Sequence, residues 1–247
     1  MKLRQLGQDG PMVPVICFGA WPIGGGMGSV DTEQAISTVH AAISEGITFI
    51  DTAELYNESE SILGKALKGY REKIFLASKV SGDDHSESHI RSAVDNSLKA
   101  LNTDYLDLYQ LHGMKTDDDF EKVMADDGAI KTFQKAKEKG LVKYLGFSCH
   151  SEKVAKRLIE AFDFDSILMP VNWSVFLKYG FGSELLSIAK EKGLAILALK
   201  SMALQMWDDP KNRKYKNCIG KSILLCKVWK TRTSLDRHTF GYSGSSY

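Results

Sequence analysis

Cysteine and proline are scarce in this 247-residue chain, four and five residues respectively. Cys17, Cys149, Cys218 and Cys226 show no paired metal-ligand spacing, and a chain of this length can build a core without disulfide staples. A reducing cytoplasm is therefore the expected compartment. An excess of either charge is also missing: 32 Lys+Arg stand against 31 Asp+Glu, a formal net charge of +1. No global field draws such a chain toward nucleic acid or an anionic membrane. No uninterrupted apolar segment approaches the roughly 20 residues that span a bilayer. The amino-terminal MKLRQLGQDG has no apolar stretch behind its basic residues, so neither targeting nor anchoring is expected. What is present, 43% hydrophobic and 26% charged residues, is the balance of a soluble globular protein whose expected partner is a small molecule.

Short apolar runs rich in β-formers alternate with longer amphipathic segments along most of the chain. The runs are Val15–Gly19, Ile47–Asp51, Ile74–Lys79, Leu106–His112, Tyr144–Ser148, Ile167–Asn172 and Leu194–Leu199. Between them the spacing predicts helices over Thr32–Glu45, Ser59–Gly69, Glu87–Leu101, Phe120–Lys139, Ser151–Ala161 and Gly182–Lys192. Asp31, Ser86 and Ser151 are N-cap candidates, and Gly46, Gly140 and Gly193 are stops. Continuous hydrophobic runs such as ILMPV and AILAL imply parallel strands covered on both faces, in either a doubly wound sheet or a (β/α)8 barrel.

The polar residues at the strand ends favour the barrel. Asp51, Lys79, His112, Ser148 and Asn172 each close a run. A barrel gathers such ends at one mouth, whereas an open sheet spreads them along a line. A strand's last residue is often polar only because it meets solvent, but Asp, Lys and His at three consecutive ends suggest a site. In D-T-A-E-L-Y, Asp51 is followed by the Tyr56 phenol, and Lys79 and His112 would face the same opening. An adjacent ammonium favours a phenolate, and a carboxylate paired to that ammonium keeps it charged and in place. Tyr56 then becomes a usable proton donor, with His112 to orient a carbonyl oxygen or share the proton. Such a group suits carbonyl reduction, in which hydride reaches carbon as a proton reaches oxygen.

D-T-A-x-x-Y, the strand-end Lys79, the L-H of Leu111–His112 and the G-F-S of Gly146–Ser148 together resemble the aldo-keto reductases over about Leu3–Trp207. The resemblance implies an α/β fold, a (β/α)8 TIM barrel with an amino-terminal β-hairpin, here Lys2–Leu6 with Val13–Ile16. It also implies an NADP(H)-dependent oxidoreductase that reduces an aldehyde or ketone, with NADPH extended across the mouth. By the same resemblance Tyr56 is the general acid, Lys79 and Asp51 the pair that tunes it, and His112 the substrate-orienting group. Trp21, after Gly19-Ala20, matches the family's first-loop aromatic set against substrate and nicotinamide. Ser148 matches a carboxamide contact. Two positions depart from the pattern: Leu168 stands in place of a family glutamine and Cys149 in place of an asparagine, and both replacements remove polar contacts to nicotinamide. Asn172, in PVNW, is read either as a further cofactor contact or as a strand-to-loop turn residue.

Other conspicuous residues take plainer readings. His85 and His89 open an acidic, solvated segment without a third metal ligand, and Cys17 falls inside an apolar run where a thiol packs as a small hydrophobe. Asp117–Asp119 and Asp126-Asp127 read as charges at helix starts, and Gly24-Gly25-Gly26 as a mobile first loop near substrate. Two competing functions remain open, a Schiff-base aldolase using Lys79 and a noncatalytic binding or regulatory scaffold. No protein partner is identified.

After Trp207 the alternation fails. We expect a barrel domain over 1–207 and an aberrant or poorly ordered tail over 208–247, with the eighth strand, the closing helices and the grip on the adenosine phosphates not recognisable. First and seventh strands would then keep unpaired edges. We propose a shifted reading frame for this tail, on a choice among synonymous codons. Lys227–Leu235 can be encoded so that the alternative frame reads Lys-Tyr-Gly-Lys-Pro-Gly-Leu-Ala-Leu, and Gly241–Tyr247 so that it reads Val-Thr-Ala-Ala-Val-Pro; the alternative is a divergent or disordered tail.

Overall fold

The computed structural model describes residues 1–80, 84–172, 175–177, 180–201 and the strand 224–229. A hairpin of β1 (Leu3–Gln5) and β2 (Met12–Pro14) precedes a barrel wall of β3 (Ile16–Gly19), β4 (Phe49–Asp51), β5 (Phe75–Val80), β6 (Leu106–Met114), β7 (Val142–Cys149), β8 (Ser166–Pro170), β9 (Ala195–Leu199) and β10 (Leu224–Trp229). Strands β3 to β9 run parallel in sequence order. The helices that return the chain are α1 (Thr32–Ser44), α2 (Ser59–Ala66), α3 (Glu87–Leu101), α4 (Asp117–Met124), α5 (Ala129–Glu138), α6 (Glu152–Ala161) and α7 (Ser183–Glu191). Among the described residues no helix is long and apolar enough to cross a membrane.

Local chemistry sets these boundaries as the sequence suggests. The Asp31 carboxylate accepts from Gln34 N at 2.7 Å, and Ser86 and Ser151 hydroxyls accept from His89 N and Val154 N. Gly46, Gly140 and Gly193 take left-handed backbone just past helix ends. The expected single helix over Phe120–Lys139 is instead two. Thr116 and Asp119 form a reciprocal capping box at the start of α4, so the acidic triplet Asp117–Asp119 lies inside its first turn. Gly128 caps α5, and a Cβ there would lie 2.4 Å from the Lys122 carbonyl oxygen, so glycine lets the chain turn this closely between α4 and α5.

The wall closes differently from a regular (β/α)8 barrel. Its eighth place is taken by β10, antiparallel to both neighbours, with Cys226 opposite Cys17 and Val228 opposite Leu197. The barrel is thus incomplete in its parallel βα units, while the edges of β3 and β9, expected to be open, are paired. The physical reason is local: LLCKVW, Leu224–Trp229, is a largely apolar, β-forming run able to complete the ladder. Segment 208–247, expected as a separate tail, contributes this strand, and its other residues lie outside those described, as do the remainder of the two peptides read in the shifted frame.

Apolar packing forms two bodies. The larger lies between helices and wall, where Ile50, Leu76, Tyr109 and Phe147 point outward. The smaller fills the barrel with Cys17, Phe49, Ala77, Leu108, Leu168 and Leu197, and the hairpin adds Leu6 and Val13 to it. The two-residue period of each strand therefore places Asp51, Lys79 and Gln110 on the inward face beyond Phe49, Ala77 and Leu108. Register sets Asp51 beside Ala77 and Lys79 beside Gln110. At the level of Gln110 the next strand carries Gly146, where a Cβ would stand 2.3 Å from Ser166 Oγ and 3.2 Å from Gln110 Cγ. A side chain there would collide with Ser166 and press on the Gln110 side chain.

Candidate active site

An ammonium with no exposed surface anchors the site. Lys79 Nζ donates to Asp51 Oδ2 at 2.6 Å and to the Thr52 carbonyl at 2.7 Å, and Gln110 Nε2 donates to Asp51 Oδ1 at 3.1 Å. A buried ion pair holds only when the lone pairs and protons around it are also satisfied, and these contacts meet that need on both partners.

Tyr56 sits in the turn between β4 and α2, with its N–H donated to Ala53 O and its carbonyl receiving Ser59 N. Lys79 Nζ lies 4.9 Å from the centre of its ring. The His112 ring meets it edge-on, with centroids 5.7 Å apart and planes at 78°, and Trp21 flanks it at 6.4 Å. The glycine run packs closely against this group. A Cβ at Gly24 would fall 2.0 Å from the Tyr56 carbonyl oxygen, and one at Gly26 would fall 1.9 Å from Trp21 Nε1. These glycines let the first loop close down on both aromatic residues.

Burial pushes His112 down to about 3, with further contributions from Lys79, Lys115 and His150. The imidazole is neutral at physiological pH. Tyr56, His112, Trp21 and Ser148 line one cavity of about 690 Å³, with Leu168 and Leu199 among its apolar walls.

The remaining expected residues divide. Ser148 lines the cavity while its Oγ accepts from Gly113 N at 2.6 Å. Gly19 and Ala20 lie behind the surface, where Gly19 pairs with Asp51 and Ala20 N donates to Asp51 O at 2.8 Å; their position fixes where Trp21 emerges. Cys149, at the position where the family pattern has a cofactor-contacting asparagine, and Asn172, one of whose two readings was a cofactor contact, are not among the described cavity-lining residues. The Cys149 thiol donates to the carbonyls of Met114 and Ser151, and burial pushes it up to about 11. Asn172 Nδ2 donates to Lys200 O at 3.1 Å and its Oδ1 accepts from Val175 N at 3.0 Å, which is the turn role. Sequence reasoning missed Gln110, whose position two residues before His112 on an alternating strand was an available signal. It also placed His85 in a solvated segment, whereas that side chain is 5% exposed and faces the cavity with its Nε2 3.9 Å from Asp119.

The sequence matches the Aldo/keto reductase family over residues 15–225. The oxidoreductase YqkF of Bacillus subtilis is 33% identical over 181 residues, which are 68% of this chain and 56% of that protein, so the chain spans little more than half the length of that relative. The holo form of an aldo-keto reductase from Bacillus halodurans aligns with a TM-score of 0.67 at 32% identity, covering 80% of this chain and 65% of that one. An aldo/keto reductase of Klebsiella pneumoniae, solved in complex with NADP and acetate, gives a TM-score of 0.65 at 25% identity over 80% of this chain and 67% of its own. With a barrel that gathers Asp51, Tyr56, Lys79 and His112 at one mouth, and a family match over most of its length, the chain belongs to the aldo/keto reductase family.

Proposed function

We propose that this chain reduces an aldehyde or ketone to an alcohol with NADPH, and that Tyr56 is the general acid. The observation that supports this most is the buried Lys79 ammonium, held by Asp51 and the Thr52 carbonyl and lying 4.9 Å from the Tyr56 ring centre at the cavity wall. As the phenol gives its proton to a carbonyl oxygen, negative charge builds on the phenolic oxygen. A cation already fixed nearby stabilises that charge without reorganising. Neutral His112 presents one ring N–H to orient the same carbonyl oxygen and does not compete as an acid. With two oxygen acceptors on its ammonium, Lys79 is held protonated, which disfavours the Schiff-base alternative, since that chemistry needs a free amine.

The cavity fits the reacting end of the cofactor. Its volume of about 690 Å³ falls within the range of small-molecule sites. Because Ser148 Oγ accepts from Gly113 N, its own hydroxyl proton is left for an amide oxygen in the cavity, the contact a carboxamide would make. Trp21, 41% exposed, offers a flat face beside it, and Gly19, Ala20 and Asp51 hold that face in place. NADPH, when bound, supplies the hydride.

Replacing the phenol by a phenyl ring tests the assignment. Tyr56→Phe should abolish aldehyde-dependent NADPH oxidation while leaving the circular dichroism spectrum and thermal midpoint unchanged. Aldehyde reduction retained by that variant would overturn Tyr56 as the acid.

A further inference from the structure

We propose that Lys115 and Lys200 form a cationic subsite at the cavity mouth that takes an anionic oxygen group, so that the preferred substrates are carbonyl compounds that also carry a carboxylate. The proposal rests on the reductase reading given above and adds a substrate class to it. Lys115 follows β6 and Lys200 follows β9, and both line the cavity that holds Tyr56 and His112. Elsewhere on the surface Lys131, Lys153 and Lys156 each pair with a carboxylate. Among the described residues the ammonium groups of Lys115 and Lys200 have no such partner.

Asp119, the one carboxylate among the described lining residues, does not cancel them. Asp119 accepts from the backbone N–H groups of Lys115 and Thr116 at 2.9 and 2.8 Å and lies in the first turn of α4, where the helix dipole already offsets its charge. His150 feels both lysines. Burial lowers its pKa first, and Lys200 and Lys115 lower it further, so it adds a neutral hydrogen-bonding ring beside them.

Lys200 is also held in an uncommon conformation. Its φ of +55° is left-handed backbone that a residue with a Cβ rarely adopts, and the Asn172 amide clamps its carbonyl while accepting from Val175 N. Strain of this kind persists only where surrounding contacts enforce it, and here they keep a lysine at the mouth.

An anionic oxygen could belong to the substrate or to a cofactor phosphate, and the test separates the two. The protein and its Lys115→Met/Lys200→Met variant would be compared with 4-carboxybenzaldehyde, 4-methylbenzaldehyde and NADPH, with dissociation constants from tryptophan fluorescence alongside kcat/KM. We expect the variant to lose about tenfold in both affinity and kcat/KM for the carboxylate, as befits two solvent-screened charge pairs, with 4-methylbenzaldehyde and NADPH unchanged. Added salt should erase the difference. Weakened NADPH binding with equal changes for the two aldehydes would keep the subsite and overturn the substrate class. No change in any of the three dissociation constants would overturn the subsite. Because binding is read without turnover, a protein that prefers the carboxylate in binding and reduces neither aldehyde contradicts the reductase reading alone.

Discussion

Lys79 Nζ and Asp51 Oδ2 stand 2.6 Å apart at the ends of adjacent strands, and the lysine side chain has no exposed surface. A charge in that position is tolerated only because its partner is there. Lys79→Met should therefore cost about 3–5 kcal/mol in denaturant unfolding, the range for an orphaned buried charge. The double variant Asp51→Leu/Lys79→Met should recover most of this stability without recovering aldehyde reduction. Equal stability of single and double variants would show that the pair is not coupled.

The depressed pKa of His112 has a consequence for stability with a definite sign. In the unfolded chain the ring takes up a proton near its ordinary value of about 6.5, whereas in the folded protein it stays neutral down to about 3. Between those values the unfolded state binds more protons, so this group's contribution is whole above about pH 6.5 and is lost as pH falls toward 3. His112→Gln should thus lose less stability than the parent between about pH 7 and pH 5, measured by denaturant titration at both. An identical loss in parent and variant would place the folded pKa near the unfolded one.

Cys149 should be inert in the folded protein. Its thiol is 1% exposed, bonded to two carbonyls and pushed up to about 11, so thiolate is scarce at neutral pH. Alkylation with iodoacetamide followed by peptide mapping should leave Cys149 unmodified in the native protein and modified after unfolding. Rapid native labelling would contradict its placement.

How much of this could be read beforehand depended on whether the signal was local. Asp51, Lys79 and His112 were legible because each ends an apolar run, and strand ends of a barrel share one mouth. The caps at Asp31, Ser86 and Ser151 were legible for the same reason, since an N-cap is settled within four residues. Gln110 was hidden between Tyr109 and Leu111, and finding it required tracing alternation back from His112. His85 looked solvated because its sequence neighbours are polar, but its burial depends on the cavity wall and Asp119, which no local pattern encodes. Asn172 offered two readings that sequence could not separate, and its hydrogen bonds to Lys200 O and from Val175 N are those of a turn residue. The closing strand was missed for another reason. The chain before it carries no amphipathic helix pattern of the kind a parallel βα unit requires, so the β-forming character of LLCKVW stands without that local cue.

β10 pairs with β3 on one side, Leu224 opposite Gly19 through Lys227 opposite Ile16, and with β9 on the other, Lys227 opposite Ala198 through Trp229 opposite Ile196. Lys227 is thus shared by both ladders. Proline at that position removes a backbone donor and is poorly tolerated in a strand paired on both sides. Lys227→Pro, and more severely a chain ending at Ser201, should expose the edges of two strands, β3 and β9, whose residues pack the barrel and its helical cover. Open apolar edges recruit other chains, so both variants should shift from a single species to concentration-dependent aggregates in sedimentation and light scattering. A monodisperse, cooperatively unfolding protein ending at Ser201 would show that the seven parallel strands close without β10.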